Sequence, residues 1–166
     1  MNEYFQITGF ASVEITDGHG EIIDIDALDR AMPKFMYENG TLNYEHSTPI
    51  GKIISWSKTE KDGKPALQIT AILHDNHLTK QIIQEIKSGK LNAFSIRGSA
   101  LQTIGNVVTE LELYEISLVH EPANPEATVE KYQIIKMLTK SKNRTFISAI
   151  KCKNMNFIDN LKTKAK

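Results

Sequence analysis

The sequence predicts an α+β fold whose core is a mostly antiparallel β-barrel or sheet with flanking helices. Strand-like runs dominate the 166 residues, and two helical patterns are inserted among them without regular strand–helix alternation. A hydrophobic content of 40% suffices for one buried core. No apolar stretch reaches the ~18 residues of a spanning helix, and the N-terminus lacks a basic region followed by an apolar one, so neither a membrane segment nor a signal peptide is expected.

The first predicted elements are a strand and a helix. Residues 4–15 are predicted to form a strand, which a Gly-rich turn at residues 16–20 follows. Asp26 is expected to cap a helix that begins at Ala27, because apolar residues then recur at helical spacing. Pro33 falls inside this pattern and should kink or split the helix.

Strands and a second helix are predicted in the middle of the chain. Two short strands lie within residues 41–56, and His46 ends the first of them. A longer strand is predicted at residues 65–74. Asp75 or Asn76 is expected to cap the helix that follows and ends near Ser88.

The two clearest strands lie at residues 91–101 and 107–119. We expect them to form a hairpin centred on Gly105, in which Ser95 faces Glu115 on one side of the sheet. Their Cβ atoms would then be roughly 4.5–5.5 Å apart. A slip of one residue would move Glu115 to the opposite face, so this expectation depends on the register.

The charge is distributed unevenly although the formal net charge is +0. Residues 1–130 carry 10 Lys+Arg and 19 Asp+Glu, a net charge of −9, whereas residues 131–166 carry 10 Lys+Arg and one Asp, a net charge of +9. We therefore predict a domain at residues 1–130 and a separate basic C-terminal segment at residues 131–166. That segment could bind nucleic acid, an acidic partner or its own body, or be an ordinary solvated terminus.

Three side chains are candidates for hydrolytic chemistry. His46 follows the more apolar face of its strand, Ser95 lies mid-strand among small residues, and Glu115 is the carboxylate expected opposite it. A histidine and a carboxylate near a serine can make its hydroxyl a nucleophile. Taken singly, His46 is more simply a half-buried histidine and Ser95 a small strand residue. His120 is the rival third member, which the hairpin geometry disfavours without excluding it.

No metal or cofactor is expected. His74 and His77 have a spacing that could ligate a metal, but a zinc site normally takes four ligands, or three plus water. A strand end and a helix cap explain the His-Asp-Asn-His run more simply. The single cysteine, Cys152, excludes a disulfide framework and suits a reducing compartment.

Four segments, in order, resemble the prohead proteases of tailed bacteriophages, the serine proteases of capsid maturation. They are Gly-Phe-Ala-Ser at residues 9–12, His46 with Pro-Ile-Gly-Lys at 49–52, Gly-Lys-Leu and Ala-Phe-Ser-Ile-Arg-Gly at 89–98, and Glu-Leu-Tyr-Glu-Ile-Ser-Leu-Val with Pro-Ala-Asn-Pro-Glu-Ala at 112–127. The resemblance covers about residues 8–129. Arg97 stands where the family often has Gly.

This resemblance implies a serine endopeptidase that needs no cofactor and works in the procapsid interior, within the host cytoplasm. Its substrates would be scaffold or the scaffolding segment of the major capsid protein, and the protease itself. The implied fold is similar to herpesvirus assemblin, a β-barrel ringed by helices. We also expect a homo-oligomer, no membrane association and no nucleic-acid partner.

The implied catalytic set is His46 as base, Ser95 as nucleophile and Glu115 as the acid that orients the imidazole, with His120 as the alternative third member. The alternative function is a noncatalytic procapsid scaffold or assembly component with the same fold.

Overall fold

The computed structural model describes residues 2–137, which form eight strands and two helices. Their order is β1 (Asn2–Val13), β2 (Ile22–Ile23), α1 (Ile25–Glu38), β3 (Thr41–Tyr44), β4 (Thr48–Lys61), β5 (Lys64–Leu73), α2 (His77–Lys87), β6 (Ala93–Ile104), β7 (Val107–Val119) and β8 (Val129–Met137). Most of the predicted basic segment, including Cys152, lies outside the described residues.

Tyr4–Ile135 form one compact unit. Residues 2–3 and 136–137 belong to a second unit, in which Lys136 Nζ lies 3.3 Å from Glu3 Oε1. Within residues 2–137, neither helix is long and apolar enough to span a bilayer.

All the described strands belong to one sheet. Its order is β2-β7-β3-β4-β5-β1-β8, and β6 pairs with β7. The pairs β1–β5, β3–β4, β4–β5 and β6–β7 are antiparallel, whereas the short strands β2 and β3 run parallel to β7. The predicted α+β class is confirmed.

The sheet is open, so of the two predicted alternatives, a barrel or a sheet, the chain forms a sheet, and the barrel that the resemblance implied is not formed. An isolated bridge joins Ala93 at the start of β6 to Thr128, just before β8. One bridge is not a ladder, and Pro122 and Pro125, which lack amide donors, precede it. At this bridge the Phe94 amide donates to the Ala127 carbonyl at 2.7 Å and the Val129 amide donates to the Asn92 carbonyl at 2.8 Å.

Helix α1 packs its apolar stripe into the core, with Ile25, Ala27, Leu28, Met32 and Phe35 all buried. Its N-cap is Asp24, whose side chain accepts from the amide of Asp26, so the predicted cap at Asp26 is wrong by two residues. The carboxylate of Asp26 instead lies in the first turn, where the helix dipole favours negative charge.

Pro33 does not split α1, which continues to Glu38. The proline removes one backbone hydrogen bond, but Met32 and Phe35 on either side of it are buried at 0% and 2% exposure. Burial of such side chains contributes about 1.5–3 kcal/mol each, which is enough to hold the helix across the proline.

Helix α2 begins and ends as predicted. Asn76 is the N-cap and forms a capping box with Thr79, and Ser88 is the C-cap. Gly89 follows with φ of 74°, the left-handed conformation common after a helix. The cap explains part of the His-Asp-Asn-His run, and the described residues hold no cluster of three or more His, Cys, Asp or Glu side chains suited to a metal ion.

The register of the β6–β7 hairpin differs from the prediction. Ser95 faces Ser117, and Arg97 faces Glu115, so the predicted direct pair of Ser95 with Glu115 is wrong. The turn contains two residues, so Ile104 pairs with Val107, and β7 is shifted by one residue from the predicted hairpin centred on Gly105. Irregularities further along the hairpin shift β7 by one more residue. Because the total shift is two residues, which is one strand period, Glu115 stays on the same face as Ser95 and lies diagonally from it.

Gly98 permits one of these irregularities. The register shifts between Arg97 and Gly98, and a Cβ at residue 98 would lie 2.3 Å from the carbonyl oxygen of Glu112. Only glycine fits this close approach of the two strands. This close approach at Gly98 lies three residues along β6 from Ser95.

Candidate active site

His46 lies in the turn between β3 and β4, not at a strand end as predicted. The φ angles of Glu45 and His46 are 47° and 56°, and the Ser47 amide donates to the Tyr44 carbonyl at 3.1 Å. Two successive positive φ angles are the pattern of a type I′ turn, which favours Asn-Gly or Asp-Gly. A left-handed non-glycine residue costs about 1–3 kcal/mol, so this turn needs support from its surroundings.

The imidazole of His46 contacts the carboxylate of Glu115. Nδ1 lies 2.6 Å from Oε1, and the two side chains are 26% and 13% exposed. Because an ionised carboxylate can only accept hydrogen bonds, Nδ1 carries the proton. The second ring nitrogen, Nε2, is then the one that can act as a base.

Ser117 holds the same carboxylate oxygen. Its hydroxyl donates to Glu115 Oε1 at 2.5 Å, and Ser117 is fully buried. The two residues are two positions apart on β7 and therefore share a face. Glu115 is thus held by a donor from its own strand and by His46 from the turn.

Glu115 remains charged despite its burial. Burial raises the pKa of its carboxyl, but the hydrogen bonds from Ser117 and His46, and the charges of His46 and Arg97, outweigh that effect. The pKa therefore lies below its ordinary value of 4.5. A negative charge is therefore held beside the Nδ1–H group of His46.

Ser95 and His46 line the same pocket, which has a volume of about 310 Å³. Ser95 lies near the start of β6 and is 8% exposed. Small residues contribute to the wall around it, among them Ala11, Ser12, Gly98, Ala100 and Ala123. Such a wall leaves room for an extended peptide, and a serine hydroxyl that shares a pocket with a carboxylate-bound histidine has the groups that acyl transfer requires.

His120 does not pair with His46 in this arrangement. Its Nδ1 lies 2.6 Å from Glu45 Oε1, and its backbone amide donates to the same oxygen at 2.9 Å. The structure brings Glu115, and not His120, to the imidazole of His46.

Two participants in this region are absent from the sequence-based prediction. Ser117 could have been found from its spacing, because it lies on the same face as Glu115 with one residue between them. Glu45 could not, because its partner His120 is 75 residues away. His19, in the Gly-rich turn at residues 16–20, is exposed and also lines the pocket.

The chain matches the model of a known protein family. Residues 2–142 match the caudovirus prohead serine protease family. This match covers most of the chain, and the chain belongs to that family. The family predicted from the four sequence segments is confirmed.

Two phage proteins are similar to this chain in sequence. The prohead protease of Escherichia phage T5 is 30% identical over 132 residues, which make up 74% of this chain and 60% of that protein. The capsid polyprotein of Pseudomonas phage PAJU2 is 27% identical over 139 residues, 78% of this chain and 20% of that protein. The chain thus spans about three-fifths of the first relative and one-fifth of the second.

Solved structures share the fold. The KSHV protease in complex with a hexapeptide phosphonate inhibitor matches with a TM-score of 0.55 and 12% identity, over 78% of this chain and 65% of that one. The capsid assembly protease of bacteriophage T4 matches with a TM-score of 0.52 and 14% identity, over 70% and 82%. At these identities the likeness concerns the fold, and it confirms the expected similarity to a herpesvirus protease.

Proposed function

We propose that this protein is a serine endopeptidase of phage capsid maturation, with Ser95 as nucleophile, His46 as general base and Glu115 as the orienting carboxylate. One observation carries the proposal: His46 is bound to Glu115 at 2.6 Å and lines the same pocket as Ser95. Family membership supports the reaction class.

The proposed reaction begins with proton transfer from the Ser95 hydroxyl to Nε2 of His46 while Oγ attacks the peptide carbonyl carbon. His46 then gives this proton to the leaving amine, and water hydrolyses the acyl-enzyme with the same base. Glu115 holds the Nδ1 proton and stabilises the imidazolium. Its lowered pKa and the Ser117 hydroxyl keep it ionised for this role.

The oxyanion that forms during attack needs hydrogen-bond donors. We assign this role to backbone amides near Arg97 and Gly98, because both residues line the pocket next to Ser95. No cofactor takes part in the proposed mechanism.

The proposed substrates are scaffold, or the scaffolding segment of the major capsid protein, and the protease itself. The names of the two phage relatives, a prohead protease and a capsid polyprotein, support this substrate class. The proposed place of action is the procapsid interior in the host cytoplasm, with the protease as a homo-oligomer.

Substitution of the nucleophile tests the proposal. The wild-type chain, Ser95→Ala and Ser57→Ala are each co-expressed with the major capsid protein of the same virus and treated with a fluorophosphonate. Ser57 is the matched control, because it is an exposed strand serine on β4. We expect Ser95→Ala to abolish labelling and lower cleavage on the order of 10⁴-fold or more, with Ser57→Ala at the wild-type rate.

Cleavage that persists in Ser95→Ala would refute the assignment of the nucleophile. A wild-type chain that neither cleaves nor reacts would favour the noncatalytic assembly component.

The basic segment at residues 131–166 is proposed to recruit the protease to scaffold or capsid protein, or to be cleaved from it. The support is the net charge of +9 against −9 for residues 1–130. Truncation after Met137 keeps β8 complete, so the shortened chain should cleave peptides normally and fail to enter procapsids. Unchanged incorporation would contradict recruitment.

A further inference from the structure

We propose that Glu45 and His120 form a positioning pair that holds the β3–β4 turn in the conformation presenting His46 to Ser95. This inference rests on the proposed role of His46 as general base. Neither residue of the pair contacts the His46 imidazole in the described contacts, so both act through the turn.

Glu45 is bound at three points to the end of β7. Its Oε1 accepts from His120 Nδ1 at 2.6 Å and from the His120 backbone amide at 2.9 Å. Its own amide donates to the carbonyl of Leu118 at 2.9 Å. Hydrogen bonds to a charged carboxylate are the stronger kind, so this residue anchors the turn to β7.

Both central residues of the turn are held by the same strand region. The side chain of His46 binds Glu115 within β7, and that of Glu45 binds His120 immediately after it. Both have positive φ angles, 56° and 47°, a conformation that is unfavourable for most non-glycine residues unless surrounding contacts offset its cost. The two contacts together hold the left-handed turn against β7.

His120 is itself held in place by two neighbours. Its ring lies edge-on to that of Tyr44, with centroids 6.1 Å apart. Its Nε2 lies 3.3 Å from Glu85 Oε2 on α2, an ion pair whenever the imidazole is protonated. The imidazole therefore lies between two carboxylates and an aromatic ring, and this environment fixes its orientation toward Glu45.

Loss of the pair should reduce catalysis without reducing binding. With the turn released, the His46 imidazole occupies its productive orientation for a smaller fraction of time, whereas the pocket wall around Ser95 is unchanged. The expected effect is a lower maximal rate at an unchanged half-saturating concentration.

Two substitutions at residue 120 separate positioning from general damage. His120→Ala removes the Nδ1 donor, and His120→Asn places an amide N–H near the same position. The maximal fluorophosphonate labelling rate of Ser95 should fall about 10- to 100-fold in His120→Ala, as expected for a misplaced catalytic group, and recover most of its value in His120→Asn. His77→Ala is the matched control, because His77 is an exposed histidine on α2.

Glu45→Gly separates positioning from folding stability. Glycine adopts a positive φ without strain, so this variant can form the turn at no conformational cost but loses the carboxylate that anchors it to His120. We expect an unchanged or higher urea midpoint together with a labelling rate reduced as in His120→Ala. If the Glu45–His120 pair only stabilised the fold, the labelling rate would instead fall only in variants whose urea midpoint falls.

Wild-type labelling rates in both His120→Ala and Glu45→Gly would overturn this inference alone, provided that Ser95→Ala is inert. Labelling or cleavage that persists in Ser95→Ala would overturn the proposed function, and with it the positioning role.

Discussion

Strand β4 has a left-handed turn at each end, and the two turns are built differently. Asp62 and Gly63, between β4 and β5, have φ angles of 50° and 75°, close to the 47° and 56° of Glu45 and His46 at the other end. Asp-Gly is a preferred sequence for this turn type, whereas Glu-His is not. The 62–63 turn is exposed and forms from its own residues, whereas the 45–46 turn depends on Glu115 and His120.

The comparison shows where this fold accepts local strain. A strained turn is retained where it presents a side chain with a proposed chemical role, and an unstrained one is used where only chain reversal is needed. Rules of turn preference therefore locate the turn at residues 62–63 and fail at the turn that carries His46.

Replacing the Glu-His pair at residues 45–46 by a sequence that favours this turn type should have the largest effect on activity. The double variant Glu45→Asn, His46→Gly carries the preferred Asn-Gly pair, so we expect a higher urea midpoint with activity lowered on the order of 10⁴-fold or more. Capsid-protein cleavage and urea unfolding measure the two effects. Asp62→Asn, which creates Asn-Gly at the other turn, should change neither, and a matching loss of activity there would contradict this account.

Glu115→Gln should have the next largest effect. An amide can no longer stabilise the imidazolium or enforce the tautomer, so the labelling rate should fall on the order of 10³-fold. Exposed Glu121→Gln is the control.

The same variant has a defined pH dependence. Because the pKa of Glu115 is depressed below 4.5 in the folded chain, its ionisation stabilises the fold above that pH, and the contribution disappears as the pH falls through the folded value. The difference in urea unfolding free energy between wild type and Glu115→Gln should therefore be largest at neutral pH and shrink in acid. A difference that is independent of pH would contradict the assigned shift.

The smallest effect on activity is expected at the exposed turn. Gly63→Ala places a Cβ on a residue with φ of 75°, in open space, and should lower the unfolding free energy by about 1–2 kcal/mol. The fluorophosphonate labelling rate should stay at the wild-type value. A fall in this rate would show that the two ends of β4 are coupled, and the comparison would need revision.

Much of the fold could be predicted because its signals are local. The capping signals of α2 act over one or two turns of chain, and the structure shows the helix beginning at Asn76 and ending near Ser88 as predicted. The cap of α1 was misplaced because Asp24 and Asp26 are equally good capping residues, and which one begins the helix depends on how its apolar stripe meets the sheet.

Only part of the candidate site could be predicted from the sequence. His46, Ser95 and Glu115 could be selected from residue types, strand faces and family motifs, and their catalytic roles remain proposals. The pairing of Ser95 with Ser117 could not be predicted, because strand irregularities such as that at Gly98 depend on the close approach of two backbones.

The sequence alone determined the α+β class, the local turns at glycine, the caps of α2 and membership of the prohead protease family, because each depends on residues close together in the chain or on recognisable segments. The tertiary structure decided which partners meet: His46 with Glu115 across 69 residues and Glu45 with His120 across 75. Such contacts arise when β3 packs parallel to β7, an outcome of the whole sheet that no short segment encodes. That packing also makes a left-handed Glu-His turn stable.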